Sequence, residues 1–208
     1  WPRGKLLGGS SSINGMVLIR GHRADFDSWR DLGNPGWGYD DVLPHFRAME
    51  HFERRADQWR GQGGPLWVSD PVKKEASSFD FIEAAARLGH ARLEDMNGAE
   101  HDGVGFMQHT IKGGRRHSAF AAFVKPVLAR RNLTVRTFAQ VLRVVVEGGR
   151  AVGVELKGQG VVRGGEVIVS AGAIGTPRLL QLSGIGPADH LRDVGVPVVF
   201  DQPGVGAN

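Results

Sequence analysis

Between Gly4 and Val17 the chain reads Gly-Lys-Leu-Leu-Gly-Gly-Ser-Ser-Ser-Ile-Asn-Gly-Met-Val, and this run narrows the available folds more than any other stretch. Adjacent glycines at 8 and 9 let a backbone come close to a ligand. One of the serines, Ser10, Ser11 or Ser12, is expected to cap a short helix whose amide ends face whatever the glycines admit. The same composition serves a flexible turn ahead of a helix, so the run alone supports a cofactor loop and a hinge equally. It is not a dinucleotide fingerprint. Gly-x-Gly-x-x-Gly after a strand occurs nowhere in the chain, so the phosphate-binding turn of a Rossmann unit is missing.

A chain of 208 residues can bury one large core or two small ones. Its 26 basic and 22 acidic residues leave a charge of +4, spread out apart from the doublets Arg54-Arg55, Lys73-Lys74, Arg115-Arg116 and Arg130-Arg131. That is too thin for a nucleic-acid stripe with interleaved aromatics, though it suits an anionic ligand such as a pyrophosphate. With no cysteine, disulfides, thiolate metal sites and a Cys nucleophile are excluded. No apolar run approaches the ~18 residues that span a bilayer, and no signal-peptide pattern opens the chain. The chain begins Trp1-Pro2 and ends Val205-Gly-Ala-Asn208 after a turn-like stretch, and it is expected to be an internal piece of a longer polypeptide.

Periodicity predicts helices over Asp25–Leu32, from Asp40 or Asp41 through Glu53 (with Val42, Phe46, Met49 and Glu53 on one side), over Ser77–Leu88, and over Ser118–Arg130 with a kink or break at Pro126. Leu66–Ser69 and Gly103–Thr110 read as strands. Beyond residue 132 the character changes. Leu133–Thr137, Val141–Glu147, Ala151–Leu156 and Glu166–Ser170 are β-branched runs separated by glycine-rich turns, which points to an antiparallel meander. Helices are expected over Thr176–Leu182, with Pro177 in the first turn, and over Pro187–Val194. The fold class expected is mixed α/β.

Two further features carry chemistry weakly. Val167-Ile-Val-Ser-Ala-Gly-Ala-Ile-Gly-Thr-Pro177 resembles a strand end that a doubly wound sheet presents to a nucleotide, and equally an ordinary strand–helix connection. Arg115-Arg116-His117-Ser118 suits an anion at a helix start, or a solvated loop. The eight histidines, 22, 45, 51, 90, 101, 109, 117 and 190, form no metal-binding spacing, and His45 and His51 read as solvated residues beside a helix. Gly-x-Ser-x-Gly, the elbow of a serine hydrolase, is absent.

Taken together, Pro2-Arg-Gly-Lys-Leu-Leu-Gly-Gly-Ser-Ser-Ser-Ile-Asn-Gly-Met-Val17, Arg20-Gly21, Asp25-Phe-Asp-x-Trp29 and Gly33 through Pro44 with Phe46 form one ordered series. It continues with Asn97-Gly98, Gly103-Val-Gly105, Gly114-Arg-Arg-x-Ser118, Arg131-Asn-Leu-Thr-Val135, Arg150 through Glu155, Ser170 through Gly186 and Pro203-Gly-Val-Gly206. In this order and at these intervals the series resembles the glucose–methanol–choline (GMC) oxidoreductases over nearly the whole chain. Among these it is most similar to bacterial members of the choline-dehydrogenase and alcohol-dehydrogenase type.

The resemblance implies part of an FAD-binding Rossmann-like domain, a helix-rich substrate side and the β meander. Residues 1–21 would be the flavin loop and helix, 22–132 the mostly helical cap, and 133–208 the returning FAD-binding portion. It implies FAD, an alcohol substrate that gives a hydride to the flavin, and an electron acceptor. Leu6, Asn14, Gly15, Met16 and Val17 match flavin-contacting positions, with Gly8, Gly9 and Ser10 beside them near the pyrophosphate and ring. The backbone of Val141 matches the adenine contact, and Ala171 and Gly172 the strand end by the adenosine. Ser12-Ile13-Asn14 stands where some members carry a flavin-tethering histidine, so non-covalent binding is expected. The family's glycine fingerprint would precede Trp1 and its catalytic histidine would follow Asn208, so none of the eight histidines here is assigned as the base. A bacterial, cytoplasmic setting follows, with peripheral contact at the inner membrane left open. A flavin-containing lyase of the same family and a non-catalytic nucleotide-binding piece are the competing readings.

Overall fold

In the computed structural model, which describes residues 1–207, the chain forms two compact units, Trp1–Thr134 and Val135–Asn208. In the first, a 3-10 turn over Gly9–Ser12 leads into strand β1 (Val17–Leu18) and helix α1 (Arg23–Asp31). Helix α1 starts two residues ahead of the expected Asp25. His22 caps it, its Nδ1 accepting from the Ala24 amide at 3.1 Å while Asp25 accepts from the His22 amide at 3.0 Å. Asp25 therefore completes a capping pair from inside the first turn.

Helix α2 (Tyr39–Met49) follows Gly38, whose amide donates to Asp41 at 3.1 Å. The expected cap residues Asp40 and Asp41 thus lie inside the first turn, where carboxylates are stabilised by the positive end of the helix dipole. Phe26 of α1 packs edge-on against Phe46 of α2, with ring centres 5.6 Å apart, and meets buried Tyr39 at 6.0 Å. Helix α2 stops at Met49, short of the expected Glu53, because the backbone turns extended at Glu50 and enters β2 (Glu50–Phe52), which pairs in parallel with β3 (Leu66–Val68), register Glu50 to Leu66 and Phe52 to Val68. Phe52, Leu66 and Val68 form the centre of this unit's core.

Helix α3 (Ala76–Arg87) falls where its periodicity puts it. The expected strand over Gly103–Thr110 shrinks to β4 (Gln108–His109), antiparallel to β1, because Val104 and Gly105 are taken up against the 91–93 segment instead. A hairpin of β5 (Ile111–Lys112) and β6 (Arg115–Arg116) follows. The expected helix over Ser118–Arg130 breaks at Pro126. A π-turn over Phe120–Val124 gives way to a 3-10 turn over Lys125–Val127, as the missing proline amide requires.

The second unit is built on an antiparallel sheet of β7 (Val141–Glu147), β8 (Arg150–Leu156) and β9 (Gly160–Arg163), in the order β7-β8-β9. Gly148 and Gly149, at φ 57° and 77°, turn β7 into β8 in the left-handed conformation a two-residue hairpin needs. Strand β9 is an element that the glycine-bearing run Gly158–Arg163 did not announce. Leu133–Thr137 and Glu166–Ser170, expected as strands, are not strands. Neither run pairs with another strand among the described residues, and Ile168 is 82% exposed. Helix α4 (Gly172–Leu182) begins four residues before the expected Thr176, so Pro177 lies inside it rather than in its first turn. The helix packs on β7, where the Ser183 hydroxyl accepts from the Val144 amide at 2.8 Å and donates to Leu179 O at 2.6 Å. A parallel pair, β10 (Ile185–Gly186) with β11 (Phe200–Asp201), flanks α5 (Ala188–Asp193), whose Leu191 is wholly buried.

Candidate functional site

The loop from Leu6 to Val17 holds a fixed shape through bonds to distant parts of its own unit. Gly4 lets the chain pass over the loop, since a Cβ there would stand 2.2 Å from Gly9 O. Gly8 is left-handed at φ 90°, and a Cβ on it would stand 2.4 Å from Ser12 Oγ. None of the three serines caps a helix. The Ser10 hydroxyl accepts from the Gly4 amide at 3.2 Å, Ser11 donates to Gly8 O at 2.5 Å, and Ser12 donates to Leu7 O at 2.8 Å. The expected capped helix is a four-residue 3-10 turn closed by these bonds. Serines bonding their own neighbouring backbone compete with helix formation, which is the physical reason for the difference.

Four contacts reach far along the sequence. Ser11 Oγ accepts from the Ala119 amide at 2.9 Å, and Arg116 Nη1 donates to Ser11 O at 3.1 Å and to Asn14 Oδ1 at 2.8 Å. Asn14 Oδ1 also accepts from the Met16 amide at 3.0 Å. Met16 O in turn accepts from the Thr110 amide at 2.8 Å. Both ends of the Met16 peptide unit are therefore held, and Met16 itself sits at φ 63°, a region an L-residue enters at a cost of roughly 1–2 kcal/mol. The Arg115-Arg116 pair is thus neither a plain anion site nor simply solvated at its second residue. Arg116 is a clamp on the loop.

Below the loop lies a buried ionic network with which the sequence reading associated no role. Asn97, fully buried, donates from Nδ2 to Leu18 O at 3.1 Å and to Gln108 Oε1 at 2.8 Å, and its Oδ1 accepts from the Arg20 amide at 2.7 Å. It thereby ties β1 to β4. Arg20 Nη2 meets Glu50 Oε1 at 2.6 Å, Arg60 Nε meets the same oxygen at 3.0 Å, and Arg60 Nη1 meets Asp95 at 2.7 and 2.9 Å. Two guanidiniums face two carboxylates, so the charge balances, and the Gly61 amide adds a bond to Glu50 Oε1 at 2.7 Å. A balanced and hydrogen-bonded network is the form in which buried charge is tolerated. Arg20-Gly21 and Asn97-Gly98 were visible in the sequence as matches. Their partnership was not, because the two residues lie 77 positions apart.

What the loop presents is open main chain beside apolar side chains. No heavy atom lies within 4 Å of where a Cβ on Gly9 or Gly15 would stand, and Leu6 and Val17 are about half exposed. In the second unit Val141 opens β7, paired with Leu156, while Ala171 and Gly172 stand exposed at the start of α4. There the Ala171 amide donates to Thr176 Oγ1 at 3.1 Å, and Gly172 is left-handed at 86°, again with open space at its Cβ position.

Among the histidines, His51 is not simply solvated. It lies on β2, stacks on Trp67 with ring centres 4.4 Å apart, and accepts from the Gly63 amide at 3.1 Å. His117 Nδ1 accepts from the Trp67 amide at 3.1 Å, and burial, with help from Lys112, pushes its pKa below the usual imidazole value. Burial likewise lowers His101, reinforced by His22 and Arg20. No group of three or more His, Asp or Glu side chains placed to hold a metal occurs among the described residues, nor is any helix long and apolar enough to cross a membrane.

The chain belongs to the GMC oxidoreductase family, whose pattern it matches over residues 1–208. It is 49% identical over 217 residues to the oxygen-dependent choline dehydrogenase of Rhizobium johnstonii and 48% identical over 212 residues to that of Brucella ovis. In each case the whole chain is covered, and it spans 38% of the length of these curated relatives. Among solved structures it is similar to pyridoxine 4-oxidase from Mesorbium loti, with a TM-score of 0.91 at 40% identity, covering 98% of this chain and 41% of that one. A fungal aryl-alcohol oxidase follows at TM-score 0.87 and 31% identity, covering 98% and 38%. The mixed helix-and-strand fold expected from the sequence is thereby confirmed.

Proposed function

We propose that the complete protein is an FAD-dependent oxidoreductase that takes a hydride from an alcohol carbon, choline or a related primary alcohol, and passes the electrons to an acceptor such as oxygen. The observation that carries this is the loop over residues 6–17, clamped from Arg116, Ala119 and Thr110 and opened at Gly9 and Gly15, in a chain half identical to oxygen-dependent choline dehydrogenases. A loop that only needed to be a hinge would not be anchored at both ends of one strained residue. The hinge reading is set aside on that ground.

The residues present fit the cofactor. Exposed Leu6 and Val17 offer apolar surface to a planar ring, and the main chain left open at Gly9 and Gly15 lets the Gly8–Gly9–Ser10 and Asn14–Gly15–Met16 stretches approach it closely. Val141, Ala171 and Gly172 would take the adenosine half, the last two through open backbone at the start of α4. FAD, when bound, supplies the hydride acceptor. This chain's residues bind it, fix its position and keep water from one face. Ile13 is no nucleophile toward a flavin methyl group, so the bond is non-covalent. The relatives are named as dehydrogenases and oxidases, which favours redox chemistry over a lyase that keeps flavin as scaffold. A bacterial source is proposed from the same relatives, with a cytoplasmic location that cell fractionation checks.

The test is direct. The complete protein should carry flavin absorbance, release it on acid precipitation, and bleach under anaerobic choline or a primary alcohol. Flavin that stays oxidised under every alcohol tried overturns the oxidoreductase reading. Residues 1–208 alone are expected to bind FAD weakly and not to turn over.

A further inference from the structure

Left-handed backbone is almost wholly the province of glycine in this chain. Seventeen glycines have positive φ among the described residues, and the other two positive-φ positions are Met16 at 63° and Phe138 at 56°. A turn that required only the dihedral would be served better by glycine, asparagine or aspartate. A bulky L-residue held there is a strain that a fold keeps for what the side chain does, and such outliers gather at functional sites. Met16 already lies in the proposed flavin loop, with its peptide unit pinned on both sides.

Phe138 has no such account. Its side chain is 100% exposed, so the ring packs against nothing in its own unit. The chain just after it is held. Two residues on, Gln140 O accepts from the Lys157 amide at 2.9 Å, and Val141 pairs with Leu156 as β7 begins. The ring therefore stands on a bend that is anchored from Gln140 onward, three residues ahead of the main chain proposed to meet adenine.

We propose that Phe138 is a stacking face for the adenine of FAD, and so a residue that makes the protein prefer a dinucleotide. The inference rests on the reading that Val141 meets the adenine half of the cofactor. An aromatic ring and a purine have complementary faces, stacking is tolerant of exact orientation, and loss of one such contact costs about five- to hundredfold in affinity. That gain offsets the backbone strain, which nothing inside the unit does.

The experiment uses the complete protein, stripped of flavin and titrated with FAD and with ADP, as Phe138→Gly and Phe138→Trp beside the unaltered chain. Glycine suits the left-handed turn, so Phe138→Gly should leave the melting temperature of the apoprotein unchanged or raised. The same variant should bind FAD about fivefold or more weakly, with ADP weakened by a similar factor, because both carry the adenine. Phe138→Trp keeps a stacking face and should bind both within about threefold of the unaltered protein. Equal FAD affinity in Phe138→Gly overturns the proposal. So does a loss for FAD that ADP does not share. A fall in the apoprotein's melting temperature also overturns it, because the ring would then be serving contacts within the polypeptide. An unaltered protein that takes up no FAD sinks the cofactor reading and this proposal together, an outcome distinct from the other three.

Discussion

Arg116 shows how one side chain can fix the shape of the glycine–serine run. Its guanidinium bonds Ser11 O and Asn14 Oδ1 together, and Asn14 passes the constraint to the Met16 amide. Replacing it by alanine removes two charge-assisted bonds from a partly buried site and should cost about 1.5–3 kcal/mol of stability. Because the loop it holds is the proposed flavin seat, Arg116→Ala should also lower FAD occupancy in the purified protein. Lysine, a single point donor, should restore only part of either. Thermal denaturation and the ratio of flavin to protein absorbance read the two effects. Unchanged values in both would remove Arg116 from the seat. The sequence exposed Arg116 as one member of a basic doublet and gave no sign of this, since its partners lie 102 and 105 residues away.

At the scale of elements, β1 is only two residues long, and its hydrogen bonds to β4 alone would not hold it. Asn97 and the Arg20–Glu50–Arg60–Asp95 network supply the rest, joining the end of the proposed flavin loop to β2, Arg60 and the 95–97 turn. Glu50 is the common partner, accepting from both arginines and from the Gly61 amide. Glu50→Ala would leave two buried guanidiniums short of a counter-charge, and the expected loss is about 3–5 kcal/mol, measured by chemical denaturation. A loss below about 1 kcal/mol would mean that the network is solvated rather than buried. In the second unit the sheet makes a steric prediction. A Cβ on Gly153 would stand 2.3 Å from Val162 O, at a φ of 157°. Gly153→Ala must therefore push β8 from β9, and the protein should melt lower by several degrees, about what a loss of 1–2 kcal/mol gives. Periodicity located α1, α3, β7 and β8 to within two residues, and it ran α2 four residues too far, through what is strand β2. It misplaced the start of α4 and promised strands at 133–137 and 166–170, because strand propensity describes a surface fit for pairing while only the fold supplies the partner.

For the molecule as a whole, two half-buried histidines set the direction of the acid response. His101 and His117 are both held below the usual imidazole pKa, chiefly by burial, so the unfolded chain takes up their protons first as pH falls. Their contribution to stability is fully present above about pH 6.5 and is lost as pH drops from there toward their lower folded values. Protonation of His117 also removes the acceptor of the Trp67 amide. The melting temperature should therefore fall between about pH 6.5 and 5, and His101→Asn with His117→Gln should flatten that slope. A slope of the opposite sign, or one the double substitution leaves untouched, would place the titrating groups elsewhere.

The sequence by itself determined the family, the mixed helix-and-strand class, most helix positions and the stretch from Leu6 to Val17 as the place to look, because these depend on residue types at short spacing. What the tertiary structure alone decided was how that stretch is held: by Arg116, Ala119 and Thr110 from a hundred residues away, and by Asn97 and a balanced set of buried charges beneath it. It also singled out Met16 and Phe138 as the two side chains kept where glycine would be easier. The reason is physical. Local pattern reports what a segment can bury or cap, whereas a buried charge or a strained dihedral is tolerable only in the company of partners that folding brings from far along the chain.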